Sequence, residues 1–251
     1  MANQEYWDNL WQDSPLLEAV TENELNEYLC PEITRCIKNY CLSQKVRFLE
    51  AGCGLGVYNF FVEKNPAIGF SLGADKSNCL WAVQEFRRNK NFRSKFVQAD
   101  VTHLPLKDNS FDFITSLGVV EHFEKPVELL LELKRLLAPG GILFIDTPNE
   151  SLWSAFNRCF PIEENEDYYT PQQLAQFLKD AEFEILEAYS RGFSNAVMTP
   201  LYTIYDFNPH SVASRCYHFL LQGLKRLITP LDKRLDKKYG FYSIVIARKA
   251  D

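Results

Sequence analysis

The chain has 251 residues, 46% hydrophobic and 24% charged, a composition that suits one soluble α/β domain with additions and leaves no need for disorder. Its net charge of -6 argues against a nucleic-acid groove as the main working surface, because phosphate binding relies on clustered Lys and Arg, although a local basic patch stays open. The cysteines at 30, 36, 41, 53, 79, 159 and 216 are odd in number and form no C-x-x-C pair, so neither a disulfide framework nor a zinc site is signalled and a reducing cytoplasm is expected. No basic segment leads into an apolar run at the N-terminus, and no apolar stretch approaches the ~20 residues of a membrane span. A soluble or at most peripheral protein is expected.

Residues 1–42 read as a helical cap, with Tyr6, Trp7 and Trp11 clustered at its start and a helical pattern running to about Tyr40. Val46 to Leu49 form a short apolar strand closed by Glu50. Gly52, Gly54 and Gly56 then open a turn into a helix over 57–64, stopped by Asn65 and Pro66. Glycine suits this turn because a chain leaving a strand sharply uses positive φ, and a missing Cβ lets a ligand lie against backbone. The pattern is E-x-G-x-G-x-G, and Val57 stands where the dinucleotide fingerprint G-x-G-x-x-G has its third glycine.

Ile68 to Leu72 are a second apolar run, closed by Gly73, Ala74 and Asp75. An acid at that strand end can accept hydrogen bonds from both hydroxyls of a ribose. Asp75 also reads as the N-cap of a helix beginning near Ser77, a role Ser77 could fill itself. Phe96 to Gln98 make a third short strand, followed by Ala99, Asp100 and Val101. After a loop, Phe111 to Leu117 read as a buried strand. Lys125 to Leu137 are an amphipathic helix with Pro126 in its first turn, ending in a turn at 138–141. Ile142 to Asp146 is a nearly continuous apolar strand, as expected in the middle of a parallel sheet. Thr170 and Pro171 start another helix, running through Leu178. Phe183 to Tyr189 and Phe241 to Ala247 are the last strands. About fifty residues, roughly 190–239, lie between them. In 217–238, apolar positions at 217, 220, 221, 224, 228, 231 and 235 interleave with Lys225, Arg226, Lys233, Arg234, Lys237 and Lys238, and Pro230 kinks or splits the pattern. Such a segment reads as a surface helix, a pocket cover or a helix lying on a membrane surface.

Taken together, the motifs resemble those of class I S-adenosylmethionine-dependent methyltransferases, in particular the type-11 and ubiquinone O-methyltransferase-like group. The glycine turn is similar to motif I. Residues 104–122 resemble the block L-P-F-x-D-x-S-F-D-x-V with its following x-x-V-L-E-H, and 136–149 resemble L-L-K-P-G-G-x-L-x-x-x-T-P-N, with Ala138 where the family usually has Lys. The likeness spans about 46–190. It implies a Rossmann-like, doubly wound α/β sheet of order 3-2-1-4-5-7-6 with the last strand antiparallel. The single domain would then comprise the cap (1–42), a cofactor-binding core (43–189), an insertion (190–239) and the last strand (240–251).

The resemblance also implies a cofactor set of Glu50, Gly52, Gly54, Gly56, Asp75, Lys76, Asp100, Val101, Leu117 and Gly118. Asp75 would serve the ribose, Asp100 and Val101 the adenine, and the backbone at 117–118 the methionine part, with S-adenosylhomocysteine as product. The opening aromatic cluster is similar to the W-x-x-x-W start of thiopurine-type enzymes, where it would act as a lid; packing in the core is the other reading. His122 is the candidate general base, with Glu121 a weaker option, while Cys53 reads as a small filler. The Asn/Asp-Pro-Pro-Tyr motif of DNA and protein-amide methyltransferases is absent. The expected partner is therefore a small-molecule acceptor, with an oxygen favoured, a hydrophobic one suiting the aromatic insertion, no nucleic acid, and a peripheral membrane contact through 217–238. A nicotinamide oxidoreductase on a similar fold and a non-catalytic cofactor-binding subunit are the alternatives.

Overall fold

The computed structural model describes residues 29–41, 45–78, 93–150, 154, 167–194, 220–221 and 223–250. Its elements in chain order are α1 (Leu29–Tyr40), β1 (Val46–Ala51), α2 (Val57–Val62), β2 (Ile68–Asp75), β3 (Lys95–Gln98), β4 (Phe111–Leu117), α3 (Val127–Leu136), β5 (Leu137–Pro148), α4 (Pro171–Asp180), β6 (Phe183–Arg191), α5 (Asp232–Tyr239) and β7 (Tyr242–Lys249). Short 3-10 turns lie at Val120–His122 and Thr229–Leu231. The strands form one sheet in the order β3-β2-β1-β4-β5-β7-β6, and β7 runs antiparallel to both neighbours, as expected from the sequence. The order reverses between β1 and β4, the switch point where ligands of open α/β sheets bind.

Each face of the sheet is covered. Leu129, Leu130, Leu133 and Leu136 of α3 and Leu174 and Leu178 of α4 pack on one face, over Leu49, Ile114, Leu143 and Ile145. Leu29, Ile33, Cys36 and Ile37 of α1 and Val62 of α2 pack on the other, over Phe48, Phe113, Phe144 and Ile246. Burial on two sides is why 142–145 reads as an unbroken apolar run, each such side chain contributing about 1.5–3 kcal/mol. Polar contacts anchor α1 to the sheet's far edge: Arg35 donates to both Glu187 oxygens (2.8 and 3.0 Å), and the Tyr189 hydroxyl donates to Glu32 (2.8 Å).

Two sequence readings change, and a third, left between two alternatives, resolves to one of them. The expected turn at 138–141 belongs to β5, because Leu137 already pairs with Phe111 before the register shifts to Phe113 against Ile142. Asp75 ends a longer β2, paired with Gln98 of β3. In the basic segment, helix at 223–228 gives way to the 3-10 turn at Pro230 and then α5, so the proline splits the pattern. Leu221 is buried, whereas Leu220, Leu224, Leu227 and Leu231 are exposed, so much of the expected apolar face points away from the core. Tyr6, Trp7, Trp11 and Tyr217 lie outside the described residues.

Candidate active site

The chain leaves β1 through a tight turn made by left-handed backbone at Gly52 (φ 81°), Gly54 (φ 46°) and Gly56 (φ 68°). Two of these glycines are also required by close approach. A Cβ on Gly52 would overlap Val119 Cγ2, and one on Gly56 would strike the Phe96 ring. The turn is thereby pressed between β3 and the segment after β4. It is tied to β2 as well: the Gly52 and Cys53 amides donate to the Ala74 carbonyl (2.8 and 3.0 Å), and the Gly54 amide donates to Asp75 Oδ2 (2.7 Å).

Of the carboxylates predicted from sequence, Glu50 lies near the end of β1 where the chain enters this turn, Asp75 is bonded to it, and Asp100 is joined to Lys76, the residue after Asp75. Glu50 is buried, and desolvation raises its pKa well above the usual range against a hydrogen bond from the Asn59 amide (3.1 Å). Asp75 Oδ1 accepts from the Ser77 amide and hydroxyl (2.8 and 2.7 Å), which with Gly54 makes three donors on a carboxylate offering about four acceptor directions. Asp100 Oδ1 accepts from the Thr102 amide and hydroxyl (3.0 and 2.7 Å), and Lys76 Nζ reaches its Oδ2 at 3.2 Å. Burial raises the Asp100 carboxyl, but Thr102 and Lys76 outweigh it and the pKa ends below the usual value. Val101 beside it is buried. Asp75 and Asp100 thus each keep an acceptor direction unused by the described donors, which fits a ligand that donates to both, such as a ribose and an exocyclic amine.

Beyond β4, Gly118 adopts φ 65° and the chain turns through Val119 into the 3-10 turn that carries Glu121 and His122. Burial pulls the His122 imidazole down to about 4, with the Gly118 backbone opposing the shift, so the ring is a weak base at neutral pH. Glu121 is buried and accepts from the Thr147 hydroxyl (3.1 Å). Cys53 is buried, with Sγ 3.7 Å from the Gly54 carbonyl, as suits a small filler. Sequence reasoning passed over Asp146, one position before the Thr-Pro-Asn run. Desolvation raises its carboxyl to about 7, opposed by the Gly118 amide, and its Oδ1 has no partner among the described residues. A single acid closing an otherwise apolar strand was the available signal. Among the described residues no group of His, Cys, Asp and Glu has the arrangement of a metal site, and no helix is long and apolar enough to cross a membrane.

Residues 49–145, which hold the turn, the three carboxylates and the 3-10 turn, match the family described as methyltransferase domain, Methyltransf_11. Over those residues the chain resembles a methyltransferase domain. The chain is 36% identical over 108 residues to a tRNA U34 carboxymethyltransferase of Nautilia profundicola, covering 39% of this chain and 33% of that protein. It is 29% identical over 119 residues to a mitochondrial ubiquinone biosynthesis O-methyltransferase of Dictyostelium discoideum, covering 42% of this chain and 36% of that one. The chain thus spans about a third of the length of these curated relatives. Among solved structures, the putative methyltransferase complexed with the Haloferax volcanii Trm112 methyltransferase activator superposes with a TM-score of 0.67 at 14% identity, covering 100% of both chains. Phosphoethanolamine N-methyltransferase 2 of Haemonchus contortus, solved with S-adenosyl-L-methionine, gives 0.61 at 17% identity, covering 88% of this chain and 53% of that one.

These likenesses correct the expected partner. Nucleic acid was excluded on net charge and on the missing Asn/Asp-Pro-Pro-Tyr motif, yet relatives named for tRNA match about two fifths of this chain. Net charge is a sum over the whole chain, whereas a nucleic acid is held by a local surface. The missing motif speaks only to the strand end after β4. Neither argument reaches the surface that would receive the acceptor.

Proposed function

We propose that the protein transfers a methyl group from S-adenosylmethionine to an acceptor oxygen on a small molecule. The observation that carries this reading is the turn from Gly52 to Gly56 entered from Glu50 and bonded through Gly54 to Asp75 at 2.7 Å, with Asp100 tied to Lys76, the residue after Asp75, at 3.2 Å. In this reading Asp75 and Lys76 serve the ribose end, Asp100 and Val101 the adenine, and the turn with Leu117 and Gly118 the methionine end. When bound, the sulfonium supplies a methyl carbon already activated by positive charge. The chain's own residues then have to orient the two reactants in line and exclude water. The ubiquinone O-methyltransferase relative supports an oxygen acceptor.

A second reading has its own support: an acceptor within tRNA, favoured by the relatives named for tRNA. Calorimetric titration with S-adenosylmethionine and S-adenosylhomocysteine, with Asp75→Ala alongside, tests the cofactor. Micromolar binding is expected, weakened at least about tenfold in the variant, by the ~1.5–3 kcal/mol of a hydrogen bond to a charged group. No binding of either compound by the unaltered protein would sink the proposal. Labelled methyl incorporation into purified tRNA, compared with the small-molecule fraction of a cell extract, then separates the two acceptors.

A further inference from the structure

Asp146 has no role in the site as set out above, yet its surroundings are those of a working group. The strand pairing sets it beside Leu117, the residue before Gly118 on β4, so its Cα lies about 5 Å from the wall assigned to the methionine end. Side chains alternate along a strand. Asp146 therefore shares the face of Ile142 and Phe144, and Glu50 shares that of Phe48, the layer covered by α1 and α2. Near it on that layer are Tyr58 of α2 and Tyr242 of β7; Tyr58 is raised first by desolvation and then by the charges of Asp146, Tyr242, Cys30 and Glu50. Asp146 is 3% exposed, and a carboxyl oxygen so buried normally has a partner, since leaving it bare costs about 1–3 kcal/mol. No positive charge answers it among the described groups that shift it; the Gly118 amide is its one opposing contact.

Resting on the methyl-transfer reading, we propose that Asp146 is the general base of the reaction, its bare Oδ1 accepting the acceptor's hydroxyl hydrogen. As the acceptor oxygen forms its bond to the methyl carbon, its O–H bond breaks and the proton passes to the Asp146 carboxylate. The carbon–sulfur bond breaks with its electron pair left on sulfur, and the proton is later released to water. Burial alone gives Asp146 a basicity near neutrality, where proton abstraction is most effective, whereas burial weakens His122. The carboxyl is thus half ionised near pH 7, and Tyr58 of α2 is the titratable group that feels its charge, within a set in which Tyr242 of β7, Cys30 of α1 and Glu50 of β1 also act on Tyr58.

The test uses the full chain with Asp146→Asn and Asp146→Glu. Dicyclohexylcarbodiimide, which reacts with protonated carboxyls in apolar surroundings, is expected to modify Asp146 at pH 6.5, mapped by peptide mass and distinguished from Glu50. S-adenosylhomocysteine affinity in Asp146→Asn should stay within about twofold, while methyl incorporation falls at least about 100-fold, the scale of a lost general base. Wild-type incorporation should rise with pH to a plateau above about 7, and Asp146→Glu should restore part of the rate. An unmodified Asp146, or Asp146→Asn turning over at the wild-type rate, overturns the assignment. Loss of cofactor affinity in Asp146→Asn also overturns it, because the residue would then be shaping the cofactor site. If incorporation is seen in neither acceptor pool, the labelling decides alone. Failure of the wild type to bind S-adenosylhomocysteine is a separate outcome, which removes the methyl-transfer reading itself.

Discussion

A side chain at position 52 has no room, since the backbone is left-handed and Val119 fills the space a Cβ would take. Gly52→Ala is expected to cost about 1–2 kcal/mol from the backbone alone, read as a lower urea midpoint. Asp146 gives a pH signature of its own. Its folded pKa of about 7 lies above that of an unfolded Asp, so the native state holds a proton the unfolded chain has released. Stability should therefore fall as pH rises from about 4 to about 7, by on the order of 4 kcal/mol, and Asp146→Asn should flatten that fall in urea titrations across the range. Asp112 works in the opposite sense. Burial raises its carboxyl, but the Arg47 guanidinium (2.6 Å) and amide (2.9 Å) more than compensate, so its folded pKa is depressed. Its contribution is present in full above about pH 4 and fades as pH falls through the folded value. Glu50, Asp75 and Asp100 were legible in the sequence because each closes or follows a short strand beside a glycine turn. Asp146 was not, because its burial comes from α1 and α2 and its isolation from a neighbouring strand, both remote in sequence.

Among the elements, α4 was the most legible. Thr170 accepts from the Gln173 amide while the Gln173 side chain accepts from the Thr170 amide (2.8 Å), a reciprocal cap written locally as Thr-Pro before a helical period. Thr170→Ala should destabilise the protein by about 1 kcal/mol in thermal or urea unfolding. The start of β5 was misread for an equally local reason. Pro139, Gly140 and Gly141 carry turn chemistry, but pairing of Leu137 with Phe111 continues the sheet through them, so tertiary context overrides propensity. The segment before α5 shows a third case. Its helical period was readable, but the side that meets the core depends on what it packs against, and Leu227 stands 77% exposed.

At the scale of the whole molecule, helix α1 is joined to β6 by Glu32, Arg35, Tyr40, Glu187, Tyr189 and Arg191, groups separated by roughly 150 residues in the chain. No sequence window contains both halves, so this anchoring could not be read from periodicity or motifs. Arg35→Met is expected to speed hydrogen exchange in α1 about tenfold while β1, β4 and β5 keep their protection, since local opening can be uncoupled from global unfolding. Equal acceleration everywhere would show that α1 belongs to the same cooperative unit as the sheet.

The place of β7 has a consequence for how the protein is made. β5 is complete once Pro148 has been synthesised, but its outer edge is closed only by Tyr242–Lys249, the last strand to emerge. At about 5–20 residues per second, the intervening ninety-odd residues leave that edge open for roughly 5–20 s. During this time the nascent chain presents a long apolar strand whose main-chain groups can pair with any neighbouring chain. Ribosome-bound chains stalled before residue 242 should therefore recruit chaperones and be cut readily by protease. Chains given a C-terminal extension long enough for β7 to clear the exit tunnel before the stall should resist digestion.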